Sequence, residues 1–182
     1  MSPQSSTNPH QSKTLSDPTD AVLTLQGIGW LKRKAIGLAT VTLAIKQYKD
    51  EAGVDHVDID QTATGGIKGT AETRVLDWVE RTHEDHVFGL LQGKSRWLNN
   101  SGAEWDALDE FLKEDWLIEQ AGPNGEPFIL NHAVNEAVGW VAIQVWGFAL
   151  INGIRYYTRR VIVSKKDGSE TLKVRLVYEK QD

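Results

Sequence analysis

From Val41 onward the apolar residues of this chain stop recurring at helical intervals and begin to alternate. Val41, Leu43 and Ile45 fall on one side of an extended backbone and Thr42, Ala44 and Lys46 on the other, as a half-buried strand requires. The block just before it, Gly29 to Ala39, has the other period: Trp30, Lys34 and Leu38 share one helical face, as do Leu31, Ala35 and Leu38. A short helix therefore feeds a succession of strands. After Val41–Tyr48 the next are expected at His56–Thr64, Thr70–Arg81 and His86–Trp97. Their links are Asp50-Glu51-Ala52-Gly53, the glycine turn Gly65-Gly66-Ile67-Lys68-Gly69, and Thr82-His83-Glu84-Asp85. Hairpin spacing this regular specifies an antiparallel meander.

Ahead of that helix, Asp17-Pro18-Thr19-Asp20 reads as a helix entry, with an Asp to cap and Pro near the first turn. Ala21 to Gln26 is thus expected as another short helix, ended by Gly27. Met1 to Ser12 hold too few apolar side chains to offset their ordering entropy and are expected to be disordered, leaving residues 13–182 as one domain. Between Asn99 and Pro127 the meander is interrupted. Trp105, Leu108, Phe111, Leu112 and Trp116 follow the spacing of an amphipathic helix, expected over residues 102–118. Strands resume at Pro127–His132, Gly139–Ile151, Ile154–Ser164 and Leu172–Lys180, with turns at Asn152-Gly153 and Lys166-Asp167-Gly168. The expected fold class is mainly β: a closed antiparallel barrel with a short helix–turn–helix near the N-terminus and an inserted helix, wide enough to hold one small ligand.

Composition narrows the function. In 182 residues, 40% hydrophobic, one core suffices without a second domain. A net charge of -5 and a pI near 5.5 supply no basic stripe for phosphates, so no nucleic acid is expected. The absence of cysteine excludes disulfides, thiolate zinc sites and cysteine nucleophiles. The polar first twenty residues lack a signal-peptide core, and no apolar run is long enough to span a membrane, so a cytoplasmic location is expected. His83-Glu84-Asp85-His86 has the residue types of a metal site, but an interval of three splits its histidines across a strand. It reads as a solvated hairpin turn, and no metal or other cofactor is expected. Lys68-Gly69-Thr70 reverses the order of a phosphate loop, Gly27-x-Gly29 lacks a third glycine, and Gly93 to Trp97 lacks the second glycine of a nucleophile elbow.

The residues also carry a resemblance. A helix–turn–helix ahead of a long antiparallel meander resembles the calycin superfamily, in particular fatty-acid-binding proteins, whose two helices form the lid of the barrel. Lys13 to Asp17, Gly27 to Thr40 and Gln61 to Gly69 resemble a fungal group of lipocalin-like proteins of similar length, and the likeness covers most of the chain after Lys13. It implies a calycin-like β-barrel, a fungal source and a cavity for a small hydrophobic molecule. That group opens with a Phe-Ser-Gly-x-Trp-like first strand, whereas this chain has Thr7-Asn8-Pro9-His10. Proline cannot donate to a ladder, so the first strand is expected to be lost or shortened and the barrel left open there. The closing Arg-x-Tyr of fatty-acid binders is replaced by Arg175 and Tyr178, three apart and on opposite faces, so its carboxylate-binding role is not carried over.

The strand Gly139–Ile151 is apolar on both sides: Trp140, Ala142, Gln144, Trp146 and Phe148 on one, Val141, Ile143, Val145 and Ala149 on the other. One side is expected to line a pocket, and the other to meet the inserted helix or a second subunit in a homodimer. Gln61, Trp78, Trp140, Gln144, Trp146 and Phe148 are the candidate ligand-binding residues. Glu72 and Arg74 share a face with Leu76 and Trp78, and Tyr157 and Arg159 share one with Val161 and Val163. If those faces point inward, Glu72, Arg74, Tyr157 and Arg159 must pair with one another or with a ligand, and they are the candidate catalytic residues. If outward, they form ordinary cross-strand pairs.

Two functions fit. One is an intracellular barrel that binds a small hydrophobic metabolite such as a lipid, polyketide or terpenoid. The other is a cofactor-independent cyclase, Diels–Alderase or isomerase of fungal secondary metabolism, which the resemblance also implies. Such catalysis needs a shaped cavity that holds a near-attack conformer and a side chain that polarises a carbonyl or moves a proton.

Overall fold

The alternation translates into one antiparallel sheet in the computed structural model, which describes residues 5–64 and 67–180. The chain runs β1 (Ser5–Thr7), β2 (Pro9–Gln11), α1 (Asp20–Leu25), α2 (Trp30–Leu38), β3 (Val41–Lys49), β4 (Asp55–Ala63), β5 (Ile67–Val75), β6 (Arg81–Asp85) and β7 (Gly89–Leu98). An inserted segment follows, with α3 (Ala103–Asp106), a 3-10 turn (Glu110–Lys113) and β8 (Trp116–Leu117). The chain ends with β9 (Phe128–Asn135), β10 (Trp140–Ile151), β11 (Ile154–Lys165) and β12 (Thr171–Lys180). Asn152 and Gly153 take φ of 52° and 78°, which reverses the chain in two residues between β10 and β11.

The strand order is β5-β4-β3-β2-β12-β11-β10-β9-β7-β6, with β1 on β3 and β8 on β10. This sheet curls into a nearly closed barrel. Its seam lies between β5 and β7, where the Trp78 N–H donates to the Ser95 carbonyl at 2.9 Å. Val22 and Leu25 of α1 plug one end, packing with Leu91, Trp140, Val163 and Val174. Midway along the lumen, Leu43, Ile59 and Leu76 pack with Trp146 and Tyr178.

Several expectations are corrected. Ser5 to Gln11 are ordered as β1 and β2, so the first strand is broken at Asn8 rather than lost. Pro9 to Gln11 pair with β12, and His10 pairs with Thr42 of β3, which keeps the barrel wall continuous there. The turn at Gly65-Gly66 lies outside the described residues. The strand expected over Thr70–Arg81 stops at Val75, because Asp77 starts a turn: its carboxylate accepts from the Val79 N–H at 3.0 Å and from Arg81 at 2.6 and 2.7 Å. The Arg81 hydrogen bonds hold that carboxyl at about 2. Arg81 to Asp85, expected to straddle a strand end and a turn, forms β6.

The inserted segment is not one helix. α3 ends at Asp106, and Asp109 caps a separate 3-10 turn, accepting from the Phe111 N–H at 2.9 Å. Its apolar residues nonetheless do what their spacing requires: Leu112, Trp105, Phe111 and Trp116 cover Leu98, Leu130, Val145 and Ile162 on the outside of the barrel. Arg160, 3% exposed, anchors this cover through the Phe111 carbonyl at 3.0 Å and Asp115 at 2.9 Å. On the outer face of β10 Val145 and Ala149 are thus buried within the chain, while Val141 and Ile143 stay half-buried. Among the described residues no helix is long and apolar enough to cross a membrane.

Candidate functional site

Away from α1 the lumen opens into a cavity of about 240 Å³. Alternation along each strand decides its walls: Ile45, Val57, Trp97, Ile129, Trp146, Phe148, Tyr157 and Tyr178 all project inward, from β3, β4, β7, β9, β10, β11 and β12. Thr7, Gln47 and Arg155 add polar groups to the lining, and Ala121 and Pro127 of the inserted segment lie on its margin. The walls are chiefly apolar and aromatic, the usual character of a small-molecule site.

The polar groups sit one inward-facing step closer to α1. Arg159 follows Tyr157 along β11, is 6% exposed, and donates through Nε to the Tyr157 hydroxyl at 3.1 Å. Its guanidinium lies 4.2 Å from the centre of the Trp146 ring and 5.5 Å from those of Tyr157 and Tyr178. Its Nη2 is buried without a hydrogen-bond partner among the described residues. On β5, Arg74 donates to Glu72 at 3.0 Å through Nε and 2.5 Å through Nη2. Arg74 reaches across the seam to β7, where a Cβ on Gly93 would stand 3.1 Å from Nη1, close enough that the guanidinium would have to shift slightly. Trp146 Nε1 donates to Gln144 at 2.9 Å, and Asn131 donates to Ser95 at 2.8 Å with its own Oδ1 left unpartnered.

Burial alone would raise the Glu72 carboxyl, but Arg74 and Arg159 outweigh it and hold the group below its ordinary value. Burial pushes both Tyr157 and Tyr178 phenols up, so they stay protonated. Burial opposes the charge on Arg159, yet the Tyr157, Tyr178 and Glu72 oxygens around it keep it firmly cationic. The site therefore holds an ionised, engaged carboxylate, two neutral phenols and a cation with a free N–H edge. Because the Glu72 pKa is lower folded than unfolded, its contribution to stability is complete above the ordinary glutamate range and disappears as pH falls through its folded value. Glu72→Gln is expected to flatten this acid limb in denaturant melts across pH, and to cost about 1.5–3 kcal/mol near neutrality.

All four candidate catalytic residues, Glu72, Arg74, Tyr157 and Arg159, face the lumen, as two hydrogen-bonded pairs. Trp146 and Phe148 line the cavity. Gln144 faces the lumen behind Trp146. The other three candidates fall elsewhere. Trp78, with φ 61°, leaves the barrel wall after the Asp77 turn and lies outside, with Lys94 and Arg96 stacked 4.6 and 4.1 Å from its ring centre. Trp140 is spent on the plug beneath α1, edge-on to Phe88 at 6.0 Å. Gln61 sits on β4 at the register shift between Asp60 and Thr62, away from the cavity walls. His83 belongs to β6 rather than a solvated turn; its ring approaches Gly93 beside Arg74, with Nε2 buried and unpartnered. Trp97, Ile129 and Asn131 join the site without having been among the candidates, although Trp97 carried the inward parity of its strand, and Tyr178, set aside above because its spacing from Arg175 puts the two on opposite faces, lines the cavity without Arg175.

No family model matches the chain. Its shape resembles solved fatty-acid carriers: the REP1-NXSQ fatty acid transporter, with a TM-score of 0.57 at 13% identity over 97% of this chain and 95% of that one. Fatty-acid-binding protein 1 of Echinococcus granulosus gives 0.57 at 12% identity over 97% and 96%. The brain fatty-acid-binding protein of Drosophila melanogaster gives 0.55 at 14% identity over 94% and 95%. The chain thus has a calycin-like antiparallel β-barrel fold. In sequence it is similar to the probable pericyclase scpY of Mollisia scopiformis, 33% identical over 91% of this chain and 83% of that protein. It is likewise similar to the pericyclase pydY of an Acremonium species, 32% identical over 90% of this chain and 84% of that protein. A shared sequence along nine tenths of the chain, on a barrel of the fatty-acid-binding type, places this protein in the family of those fungal pericyclases.

Proposed function

We propose that the protein is itself a pericyclase of fungal secondary metabolism, which folds a small hydrophobic metabolite in its lumen and accelerates that molecule's cyclisation. The observation that carries this reading is the free Nη2 of Arg159 beside the Tyr157 hydroxyl, at the inner end of an aromatic cavity. In an intramolecular pericyclic cyclisation bonds form and break around one cyclic transition state within a single molecule, so the product is an isomer of the substrate and no redox partner enters the balance. Two contributions remain for the protein. Trp146, Phe148, Ile129 and Tyr178 hold the chain of the substrate coiled with its reacting carbons close, which is the larger part of the barrier for a flexible molecule. Arg159, with the proton of Tyr157, donates to a carbonyl conjugated with the reacting π system and draws electron density from it as the transition state forms.

Proton-shuttling isomerisation is less well supported. Glu72, the one carboxylate of the cluster, is held below its ordinary pKa and is already engaged by Arg74, which makes it a weak base and suits it to positioning Arg74. Capture without turnover is the second reading, favoured by the likeness in shape to fatty-acid carriers. In either case the partner is a small hydrophobic molecule met in the cytoplasm, with no nucleic acid. Turnover separates the two. With a substrate of either pericyclase relative, Tyr157→Phe is expected to lower kcat about tenfold, near 1.4 kcal/mol of barrier, at nearly unchanged KM. Equal kcat in a well-folded variant would remove the phenol from the reaction.

A further inference from the structure

We infer that ligands enter this barrel at the end opposite the two N-terminal helices, and that Arg155, tied to Glu119 of the inserted segment, gates that entrance. The helical end is filled: Val22 and Leu25 of α1 are buried against Trp140, Val163 and Val174, with Phe88 set edge-on to Trp140. A molecule entering there would have to displace the plug that holds that end of the sheet together. At the other end the cavity reaches the surface between Thr7, Gln47, Phe148 and Arg155, with Ala121 of the insert on its margin.

The rim combines fixed parts with one weak tie. Trp97 is pinned by its Nε1 to Asp55 at 2.9 Å, and Gly122 packs so closely on it that a Cβ there would stand 2.9 Å from the ring. β8 pairs Leu117 with Phe148 of β10, which seats the insert on the barrel mouth. On the rim, Arg155 of β11 lies 3.3 Å from the centre of the Phe148 ring on the neighbouring strand β10 and is held by Glu119 of the insert at 2.8 and 2.7 Å. Both partners are well exposed, 47% and 39%, so water and salt screen the ionic part of this pair far more than they do the buried contacts of the frame. A stiff frame closed by a weak, solvent-facing pair is what an entrance needs. Carrier and catalyst alike would use it, so its failure would leave the proposed chemistry untouched.

The absence of cysteine makes the test direct. Glu119→Cys at the mouth and Leu38→Cys on α2, each checked for folding by circular dichroism, would be labelled with a bulky polyethylene glycol maleimide. Association of N-phenyl-1-naphthylamine, an uncharged fluorescent apolar probe, would then be followed by stopped flow. The label at 119 should slow association about tenfold or more relative to the same unlabelled variant, and the label at 38 should leave it unchanged. Slowing at 38 alone, equal slowing at both, or slowing at neither would overturn the assignment. Without any label, Arg155→Ala should speed both association and release of the probe, and unchanged rates would remove Arg155 from the gate.

Discussion

Arg159→Met is expected to lower kcat about 100-fold while KM changes only a few-fold, the pattern of an interaction made chiefly in the transition state. Methionine keeps much of the side-chain volume and removes the charge, so the Trp146 ring retains a neighbour. What disappears is the donor edge: Nη2 has no hydrogen-bond partner among the described residues, and Nε is the donor to the Tyr157 hydroxyl. Glu72 also loses one of the two cations that keep it ionised, though Arg74 remains. The check is kcat and KM measured separately, beside a thermal melt. A proportionate fall of activity with folded fraction would reduce Arg159 to a structural role, and an unchanged kcat would exclude it from the chemistry.

Trp146→Ala should have the largest effect on the barrel itself, about 3–5 kcal/mol in a urea titration. The indole is 3% exposed and packs with Leu43, Ile59 and Tyr178, with Arg159 stacked on its face. Its loss enlarges the cavity, strips the guanidinium of its aromatic support and leaves Gln144 without its donor. Capture of a hydrophobic ligand should weaken by about 1–3 kcal/mol, measurable by displacement of a fluorescent probe. Unchanged affinity in a folded variant would take Trp146 out of the binding wall.

These two residues were legible in the sequence because each lies inside a long strand, where strict alternation fixes the face once one neighbour is known to be buried. Trp146 shares its parity with Trp140 and Phe148, and Arg159 shares its parity with Tyr157 and Val161. Periodicity left open whether the charged faces turned inward. The structure decides that by pairing charge with charge inside the lumen, Glu72 with Arg74, and cation with phenol, Arg159 with Tyr157.

The misplacements came where a local side-chain interaction cut a regular pattern short. Trp78 continues the parity of Glu72, Arg74 and Leu76, but the Asp77 carboxylate captures the Val79 N–H and Arg81, and the ring turns outside. The insert's apolar spacing is helical from Trp105 to Trp116, yet Asp109 caps a new turn and divides it, so the residues cover the barrel without forming one helix. On α2 the apolar side of the pattern is not buried at all: Trp30, Leu31 and Leu38 are exposed by 64%, 72% and 82%. No single-sequence signal told whether Trp140 would line a pocket or fill one, because that depends on α1 folding back onto its end of the barrel.

The central claim is that the lumen converts its ligand rather than merely holding it. The most direct measurement is native mass spectrometry of the protein purified from its own host, followed by release of the captured molecule and incubation of its uncyclised isomer with fresh protein. The expected result is that the isomer cyclises faster than in buffer alone, or with different stereochemistry, at unchanged mass. A captured molecule that forms equally fast and with the same stereochemistry without the protein would contradict it and leave a carrier.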